Sequence, residues 1–197
     1  MTKYILLFYF FTWQLSLALD KCVFIVAPTK EATEKIISDK FPYWYNLALA
    51  KKETNCRWLT SLDGHGSVGY FQLTPKFLDP ILRPLYPDYT KPYSKDHFYA
   101  FAYFIKSLHS SNPSNKLFVT YQRYNGGDWV LKECKRAGVY EWSKCKQACM
   151  RGNVCVWKVN GECKQYRSAC DINYEYSDLI YKFGQKYKKG ADYYLFW

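Results

Sequence analysis

The stretch KKETNCRWLTSLDGHGSVGYFQLTP, residues 51–75, places one glutamate, Glu53, ahead of a glycine-rich bend that leads into a Gly-x-x-Gln-x-x-Pro run. Gly64, Gly66 and Gly69 lie within six positions, which indicates a backbone that adopts positive φ or passes close to another group. Glu53 is therefore either a chemically active acid beside a structured turn or an ordinary charge near the end of a helix. The rest of the chain distinguishes these two interpretations.

A buried helix is predicted just before the glycine-rich bend. In residues 43–54, Trp44, Leu47 and Ala48 are spaced as on the apolar face of a helix, and Glu53 lies near its C-terminal end. A carboxylate in that place opposes the helix dipole, which costs roughly a few tenths of a kcal/mol. The same dipole favours the protonated carboxyl group when the surroundings also exclude water.

The rest of the chain predicts a mainly helical single domain. The other predicted helices are residues 30–41, a segment beginning at Pro75 that Pro80 and Pro84 break, residues 95–109 after a Ser94 cap, residues 116–124 and residues 174–188. Pro42 ends the first of these helices, and Gly126-Gly127 ends the fourth. The chain has no internal repeat, and residues 19–197 have the length of one domain, so one domain is expected.

Eight cysteines follow the N-terminal apolar segment of the chain. They are Cys22, Cys56, Cys134, Cys145, Cys149, Cys155, Cys163 and Cys170. An even number of cysteines in an exported chain favours disulfides over metal binding. No two of them form a Cys-x-x-Cys pair, and the histidines lie far from them in sequence, so we expect neither a metal site nor a cofactor.

Residues 128–173 contain six of the cysteines and are predicted to form a disulfide-rich insertion. Six cysteines allow fifteen pairings, and the sequence does not select one of them. Within the insertion, VCVWKVNGEC at 154–163 alternates apolar and polar residues around an Asn-Gly turn, which predicts a β-hairpin. Cys22 and Cys56 are left to pair with each other, which would hold the N-terminal segment beside the helix that carries the glutamate.

The first 18 residues are typical of an export signal. Lys3 precedes an almost unbroken apolar run at 4–19, and the small residues Ser16 and Ala18 suit cleavage after Ala18. An uncleaved N-terminal anchor is the alternative. No later segment approaches the ~20 apolar residues that span a bilayer. The mature protein is therefore expected in the periplasm or outside the cell, with no transmembrane span beyond the signal.

Charge and aromatic content point to a polymeric partner. The chain has a formal net charge of +11, which becomes +10 when the signal and its single lysine are removed. An exported basic protein meets anionic wall polymers or phospholipid headgroups more often than nucleic acid. The aromatic fraction of 20% exceeds the need of one small core, and aromatic faces commonly line grooves that bind sugar rings. Together these features favour a wall polysaccharide over nucleic acid.

Three short motifs follow one another in a fixed order. They are Glu53-Thr54 at a predicted helix end, Gly69-Tyr70-Phe71-Gln72 about fifteen residues later, and Tyr124-Asn125-Gly126-Gly127 at the end of another helix. This order resembles the soluble type of lytic transglycosylase, whose catalytic domain is related to goose-type lysozyme. In that family the last helix carries a tyrosine that faces the catalytic glutamate, and Tyr174 or Tyr176 can fill that place. The resemblance covers roughly residues 30–128 and 172–188.

The resemblance implies a lysozyme-like fold and an exported peptidoglycan lytic transglycosylase, a lyase that acts on glycan strands. Glu53 would protonate the leaving oxygen of the bond between N-acetylmuramic acid (MurNAc) and N-acetylglucosamine (GlcNAc). It would then accept a proton from the MurNAc 6-hydroxyl, which closes a 1,6-anhydro ring. Gln72 and Asn125 would bind the N-acetyl group or the sugar rim. Tyr124 and the tyrosine of the last helix would hold the glutamate or the acetamido carbonyl.

The chain also departs from the family pattern. Tyr70 and Phe71 replace an aliphatic pair, and Arg123 replaces a small residue. The aromatic pair keeps the bulk of the side chains that it replaces, so we expect it to fill the same space.

Two other interpretations stay open at this point. Asp63 lies nine residues before Gln72, where goose-type lysozymes carry an aspartate, although Ser61 and Ser67 compete for that position. A muramidase that uses water, with Asp63 as its base, is therefore one alternative. The other is a non-catalytic, cationic wall-binding protein in which Glu53 is incidental. The insertion would extend the groove, recognise a partner in a secretion or phage apparatus, or only stabilise a loop.

Overall fold

The computed structural model describes residues 20–61 and 65–188. Within these ranges, eight helices and one two-stranded antiparallel sheet confirm the prediction of a mainly helical protein. The elements are α1 (Val23–Ile36), α2 (Tyr43–Thr54), α3 (Pro75–Leu82), α4 (Lys95–Ser110), α5 (Leu117–Gly126), α6 (Trp129–Ala137), α7 (Trp142–Gln147), β1 (Asn153–Val159), β2 (Glu162–Ser168) and α8 (Ala169–Gln185). No helix in these ranges is long and apolar enough to cross a membrane. The predicted signal, residues 1–18, and Asp63 lie outside the described residues.

Helix α2 lies at the centre of the fold. All eight residues from Tyr43 to Ala50 are buried, since α1 and α8 both pack against this helix. The one amide among them, Asn46, donates through Nδ2 to Thr33 Oγ1 over 2.9 Å and accepts at Oδ1 from the Tyr121 hydroxyl over 2.9 Å. A buried amide that is bonded at both ends fixes its neighbours without a large desolvation cost. The helix is thereby held firmly at the position where its last turn carries the carboxyl group.

Helix α1 begins earlier than predicted. It starts at Val23 instead of residue 30, ends at Ile36 instead of residue 41, and contains Pro28 in its interior. Pro28 has no N–H to donate, but the carbonyl that loses this bond belongs to Phe24, which is exposed to water. The Cys22–Cys56 disulfide, which the sequence predicted, ties the start of α1 to the end of α2. This covalent anchor compensates for the weak helix interior.

The largest of the other differences from the predicted boundaries are in α8 and α3. Helix α8 begins at Ala169 instead of residue 174, because the Ser168 hydroxyl accepts a hydrogen bond from the backbone N–H of Asp171 and caps the helix. Residues 169–173 of the predicted insertion therefore belong to this helix. Helix α3 continues through Pro80 to Leu82, whereas the sequence had predicted a break at this proline.

Four disulfides join all eight cysteines. The pairs are Cys22–Cys56, Cys134–Cys145, Cys149–Cys170 and Cys155–Cys163. The last three bridges pair the six cysteines of the insertion. The sequence could not select this pattern from the fifteen that six cysteines allow. Such a set of bridges is typical of proteins that fold in an oxidising compartment outside the cytoplasm.

The insertion packs on the helical body through a second, smaller core. Its buried members are Phe118, Val119, Val130, Cys134, Cys145 and Tyr174. Beside it, the buried Glu133 carboxylate accepts from Arg136 Nη1 over 2.5 Å and from the backbone N–H of Met150 over 3.2 Å. These bonds hold α6 against the segment that leads into the first strand.

Strands β1 and β2 form the predicted hairpin. Asn160 and Gly161 at its tip both have positive φ, 51° and 82°, as a two-residue hairpin turn requires. The Cys155–Cys163 disulfide crosses between the strands. Side chains on both strands are exposed along almost the whole hairpin. The hairpin therefore projects from the body, and residues 150–168 are called the hairpin arm below.

Candidate functional site

The end of α2 positions the carboxyl group of Glu53. The helix stops after Thr54, where Asn55 adopts the left-handed conformation and its N–H bonds back to carbonyls of the preceding turn. Thr54 Oγ1 donates to the carbonyl of Tyr70 over 2.9 Å. This side chain links the helix end directly to the glycine-rich turn, which explains why a hydroxyl residue follows Glu53.

Gly69 is required by the side chain that packs behind this turn. It has a φ of 80°, and a Cβ atom there would lie 2.1 Å from the His97 ring. His97 Nε2 accepts from the Tyr70 N–H over 3.1 Å, so Nδ1 carries the proton and donates to the Tyr89 carbonyl over 2.7 Å. Burial lowers the pKa of His97 to about 4. A neutral imidazole therefore supports the turn from the protein interior.

Gln72 closes the turn with its side chain. Its backbone has a φ of 55°, which is uncommon outside glycine. Its Nε2 donates to the carbonyls of Leu59, over 3.1 Å, and Gly69, over 2.9 Å, and these bonds hold the unusual conformation. The amide oxygen is then the atom that Gln72 can offer to a ligand.

A cleft of about 310 Å³ opens between the end of α2, the segment 65–77 and the end of α5. Its lining residues are Glu53, His65, Ser67, Gln72, Thr74, Phe77, Tyr124 and Asn125. Four of these were predicted to form the site. Among the described residues of the lining, Glu53 is the only carboxylic acid.

The Glu53 carboxyl group is half-buried at the wall of the cleft. The hydroxyl of Tyr176, on α8, donates to Glu53 Oε1 over 2.5 Å. Burial raises the pKa of Glu53, while the bond from Tyr176 and the positive charge of Lys52 act against that rise. Because Oε1 accepts the phenol, Oε2 is the oxygen that carries the proton in the neutral acid. Glu53 thus stays protonated to a higher pH than an ordinary glutamate.

Tyr124 holds the turn to α5. Its hydroxyl donates to the Phe71 carbonyl over 2.5 Å, and its ring centroid lies 5.5 Å from that of Phe104. Burial, followed by the negative charge of Glu53, raises the pKa of Tyr124 well above its ordinary value. The phenol is therefore neutral, and its proton is committed to the backbone of the turn.

Only one of the two candidate tyrosines on α8 reaches the Glu53 carboxyl group. Tyr174 is buried in the second core, with its ring centroid 5.8 Å from that of Trp142, and its hydroxyl has no hydrogen-bond partner among the described residues. Residues two apart on a helix point about 200° away from each other, so Tyr174 and Tyr176 cannot both face Glu53. The structure places Tyr176 at the carboxyl group and Tyr174 away from it.

The cleft also contains His65, Thr74 and Phe77, which the sequence did not single out as ligand contacts, and Ser67, which was named only as a competitor for the position of Asp63. Ser67 Oγ and Thr74 Oγ1 share a hydrogen bond over 2.8 Å, so Thr74 does not cap α3 with its side chain. His65 and Phe77 complete this wall. Their position in one continuous segment on either side of Gln72 could have indicated that they line the same cleft. Ser61, by contrast, donates its N–H to the Ser67 carbonyl over 2.7 Å and is not part of the described lining.

Arg123, the charged departure from the family motif, is directed away from the cleft. Its Nε donates to Asp128 Oδ1 over 2.7 Å, and its Nη1 donates to Ser111 Oγ over 3.0 Å and to the Leu108 carbonyl. The guanidinium group therefore joins the end of α4 to the loop after α5. The charge adds a structural link and does not enter the described cleft lining.

No protein-family model, curated protein or solved structure matches this chain. The candidate site is therefore defined by its geometry: one carboxylic acid with a raised pKa, the phenol that holds it, and two amides at the cleft wall. Such a set can donate and accept a proton at a bound polar substrate. Within residues 20–61 and 65–188, no group of three or more histidine, cysteine, aspartate or glutamate side chains is arranged to hold a metal ion.

Proposed function

We propose that this protein is an exported peptidoglycan lytic transglycosylase with a lysozyme-like helical domain, and that it cleaves the β-1,4 bond between MurNAc and GlcNAc. The observation that carries the proposal is the state of Glu53: its carboxyl group lines a cleft, burial raises its pKa, and Tyr176 holds it. A glycosidic oxygen needs a proton donor as it leaves, and a carboxylic acid kept neutral can supply that proton.

In the first step, Glu53 donates its proton to the glycosidic oxygen as the bond to the anomeric carbon breaks. The carbonyl oxygen of the MurNAc acetamido group bonds to that carbon, which gives a cyclic oxazolinium ion and leaves Glu53 as a carboxylate. The Tyr176 hydroxyl donates to Oε1, and a bond of this kind is stronger to a carboxylate than to a neutral acid. The charge of Lys52 acts in the same direction.

In the second step, the Glu53 carboxylate accepts the proton of the MurNAc 6-hydroxyl. The freed oxygen attacks the anomeric carbon and displaces the acetamido oxygen, which closes the 1,6-anhydro ring. The proton returns to Glu53, and no water is consumed. Because the substrate supplies its own nucleophiles, this sequence needs one carboxylate from the protein, in keeping with the single carboxylic acid among the described lining residues.

The amides of the cleft wall would orient the sugar. The Gln72 oxygen is suited to accept from the acetamido N–H, since its nitrogen is already bonded to backbone carbonyls. Asn125, exposed at the end of α5, can offer both a donor and an acceptor to the sugar rim. Tyr124 would act by fixing the turn that carries Gln72, because its hydroxyl proton is engaged by the Phe71 carbonyl.

Digestion of insoluble peptidoglycan by the purified mature protein, followed by mass analysis of the released muropeptides, tests the reaction. The expected products end in 1,6-anhydro-MurNAc and are one water lighter than hydrolysis products. Reducing ends instead would assign the protein to goose-type muramidases, and Asp63→Asn would then abolish the release. Absence of any soluble product would favour the non-catalytic wall-binding interpretation.

Glu53→Gln is the matched control for this digest. The variant keeps the shape of the neutral acid but cannot transfer its proton, so release is expected to fall by about 10²–10⁴-fold or more. Binding to insoluble wall is expected to persist, because the cleft shape is unchanged. A variant that still releases muropeptides at the wild-type rate would show that Glu53 is incidental.

A further inference from the structure

The hairpin arm exposes a concentration of apolar surface. Six of the fourteen large apolar side chains that are exposed among the described residues lie on it. They are Met150, Val154, Val156, Trp157, Val159 and Tyr166, with exposed fractions between 38% and 76%. Apolar surface gathered in one exposed region of a soluble protein marks a site of interaction.

The arm is also built to keep this surface rigid. An isolated two-stranded hairpin is marginally stable in water. Here the Cys155–Cys163 bridge joins the strands, and the Cys149–Cys170 bridge fastens the base of the arm to the first turn of α8. A surface that is ordered before it binds loses little conformational entropy when it does so. Two disulfides therefore hold the exposed apolar side chains in a fixed arrangement.

Positive charge is interleaved with the apolar side chains. Residues 150–168 contain four cations and one carboxylate, a net charge of 4 − 1 = +3. They are Arg151, Lys158, Lys164, Arg167 and Glu162. Lys164 is paired with Glu162 over 2.6 Å, and Arg167 with Glu175 of α8 over 2.7 Å. The arm thus carries exposed apolar side chains together with an excess of positive charge.

We propose that the hairpin arm docks the protein on an anionic phospholipid bilayer. Valine and methionine side chains offer a glycan neither a stacking face nor a hydrogen bond, so they favour a lipid or protein partner. Since both faces of the hairpin are exposed, a headgroup layer that surrounds the arm covers them better than a partner lying on one side. Tryptophan and tyrosine suit the membrane–water interface, and cations attract anionic lipids.

Co-sedimentation of the purified mature protein with vesicles tests this proposal. Vesicles of phosphatidylglycerol and phosphatidylcholine in equal parts are expected to bind the protein, and binding should weaken as salt is added because the attraction is partly electrostatic. Vesicles of phosphatidylcholine alone are expected to bind it less. Trp157→Ser should weaken binding to the anionic vesicles by about tenfold, and Lys158→Glu by a similar factor.

Phe24→Ser is the matched control, because Phe24 is an aromatic residue on α1 that is 73% exposed and lies outside the arm. This variant is expected to bind vesicles like the wild type. Unchanged unfolding temperatures and intact disulfides would show that the arm variants are folded. Failure of the wild type to bind anionic vesicles, or equal binding by Trp157→Ser, would overturn the proposal.

A different dependence on Trp157 would also overturn it. If Trp157→Ser binds vesicles normally but loses retention on insoluble peptidoglycan, the arm is a glycan-binding surface. If Trp157→Ser binds vesicles normally but no longer binds a second protein that the wild type does bind, the arm is a protein-docking surface. The vesicle assay does not involve the chemistry at Glu53, so failure of the proposed lyase activity would leave its outcome unaffected.

Discussion

Glu53 is half-buried in a place where its ionised form is disfavoured, and this has a consequence for stability. Its pKa is raised in the folded protein, so the folded state binds the proton more tightly than the unfolded chain, where the ordinary value is 4.5. The stabilisation is therefore complete below pH 4.5 and is lost as the pH rises through the raised pKa. Above the raised pKa, the wild type carries a carboxylate that its surroundings disfavour.

Glu53→Gln should separate stability from activity. The amide resembles the protonated acid and can accept the same hydrogen bond from Tyr176. We expect the variant to unfold at a higher temperature than the wild type at neutral pH, with a rise of about 2–4 °C for each kcal/mol gained, and at a similar temperature well below pH 4.5. Scanning calorimetry at the two pH values measures this difference. A variant less stable than the wild type at neutral pH would contradict the buried-acid assignment.

Tyr176 should control the pH dependence of the reaction. Its hydrogen bond favours the carboxylate, so Tyr176→Phe should raise the pKa of Glu53 further and move the alkaline limb of kcat/KM to higher pH. The carboxylate intermediate also loses a bond to a charged group, which corresponds to a fall in rate of about 10–100-fold.

Tyr174→Phe provides the control on the same helix. It removes a hydroxyl that has no hydrogen-bond partner among the described residues, so neither the rate nor the pH profile should change. Rate measurements over a pH series compare the pH–rate profiles of Tyr176→Phe and Tyr174→Phe with that of the wild type. Equal effects of the two substitutions would mean that Tyr176 acts only through general packing of α8.

The turn between α2 and α3 depends on one close approach. Gly69→Ala would place a methyl group 2.1 Å from the His97 ring, and the buried ring cannot move without breaking its bonds to the Tyr70 and Tyr89 backbone. We expect a loss of roughly 3 kcal/mol or more, from positive-φ strain together with overpacking. Chemical denaturation measures it.

Gly66→Ala isolates the strain from the clash. Gly66 also has a positive φ, 68°, but a Cβ atom there meets nothing within 4 Å. This variant should lose only about 1–2 kcal/mol. If the two alanine variants were equally stable, the His97 contact would not determine the choice of glycine at position 69.

Local chemistry made several elements predictable. The Asn-Gly pair specified the hairpin turn, Ser94 caps α4 through the Asp96 N–H, and helical spacing identified α2 with Glu53 in its last turn. The start of α1 was missed because Pro28 usually stands in a first helical turn, whereas here the Cys22–Cys56 bridge supports an earlier turn. The turn and the cap were predictable because the residues that form them are neighbours in the sequence. The start of α1 was not, because it depends on a disulfide to a distant cysteine.

The candidate site was less predictable because its contacts join distant parts of the chain. The sequence could not decide between Tyr174 and Tyr176, since the choice depends on how α8 is rotated against α2. Nor could it show that the Gln72 nitrogen is committed to the Leu59 and Gly69 carbonyls. Such facts follow from packing, and only the residue types and their order are visible in the sequence.

On the scale of the whole molecule, the described residues form two unequal cores. The larger one surrounds α2, and the smaller one joins the insertion to α5 and α8. Helix α8 contributes to both, with Tyr176 in the first and Tyr174 in the second. The insertion therefore packs against α8, the helix whose Tyr176 bonds to Glu53, whereas the hairpin arm belongs to neither core.

The disulfides should differ in importance according to this division. Removing Cys22–Cys56, by changing both residues to serine, opens a loop of 34 residues between the start of α1 and the end of α2, which corresponds to about 4 kcal/mol of loop entropy. Removing Cys155–Cys163 in the same way opens a separation of 8 residues, about 2.5 kcal/mol, in an arm outside both cores.

We therefore expect the first double variant to lower the global unfolding temperature and the muropeptide release. The second should leave both nearly unchanged while it weakens binding to anionic vesicles, because the exposed strands lose their preorganisation. Calorimetry, the digest and the vesicle assay on the same two variants provide the comparison. A large global destabilisation by the second variant would show that the arm is a structural part of the core and would remove the reason for its exposed apolar side chains.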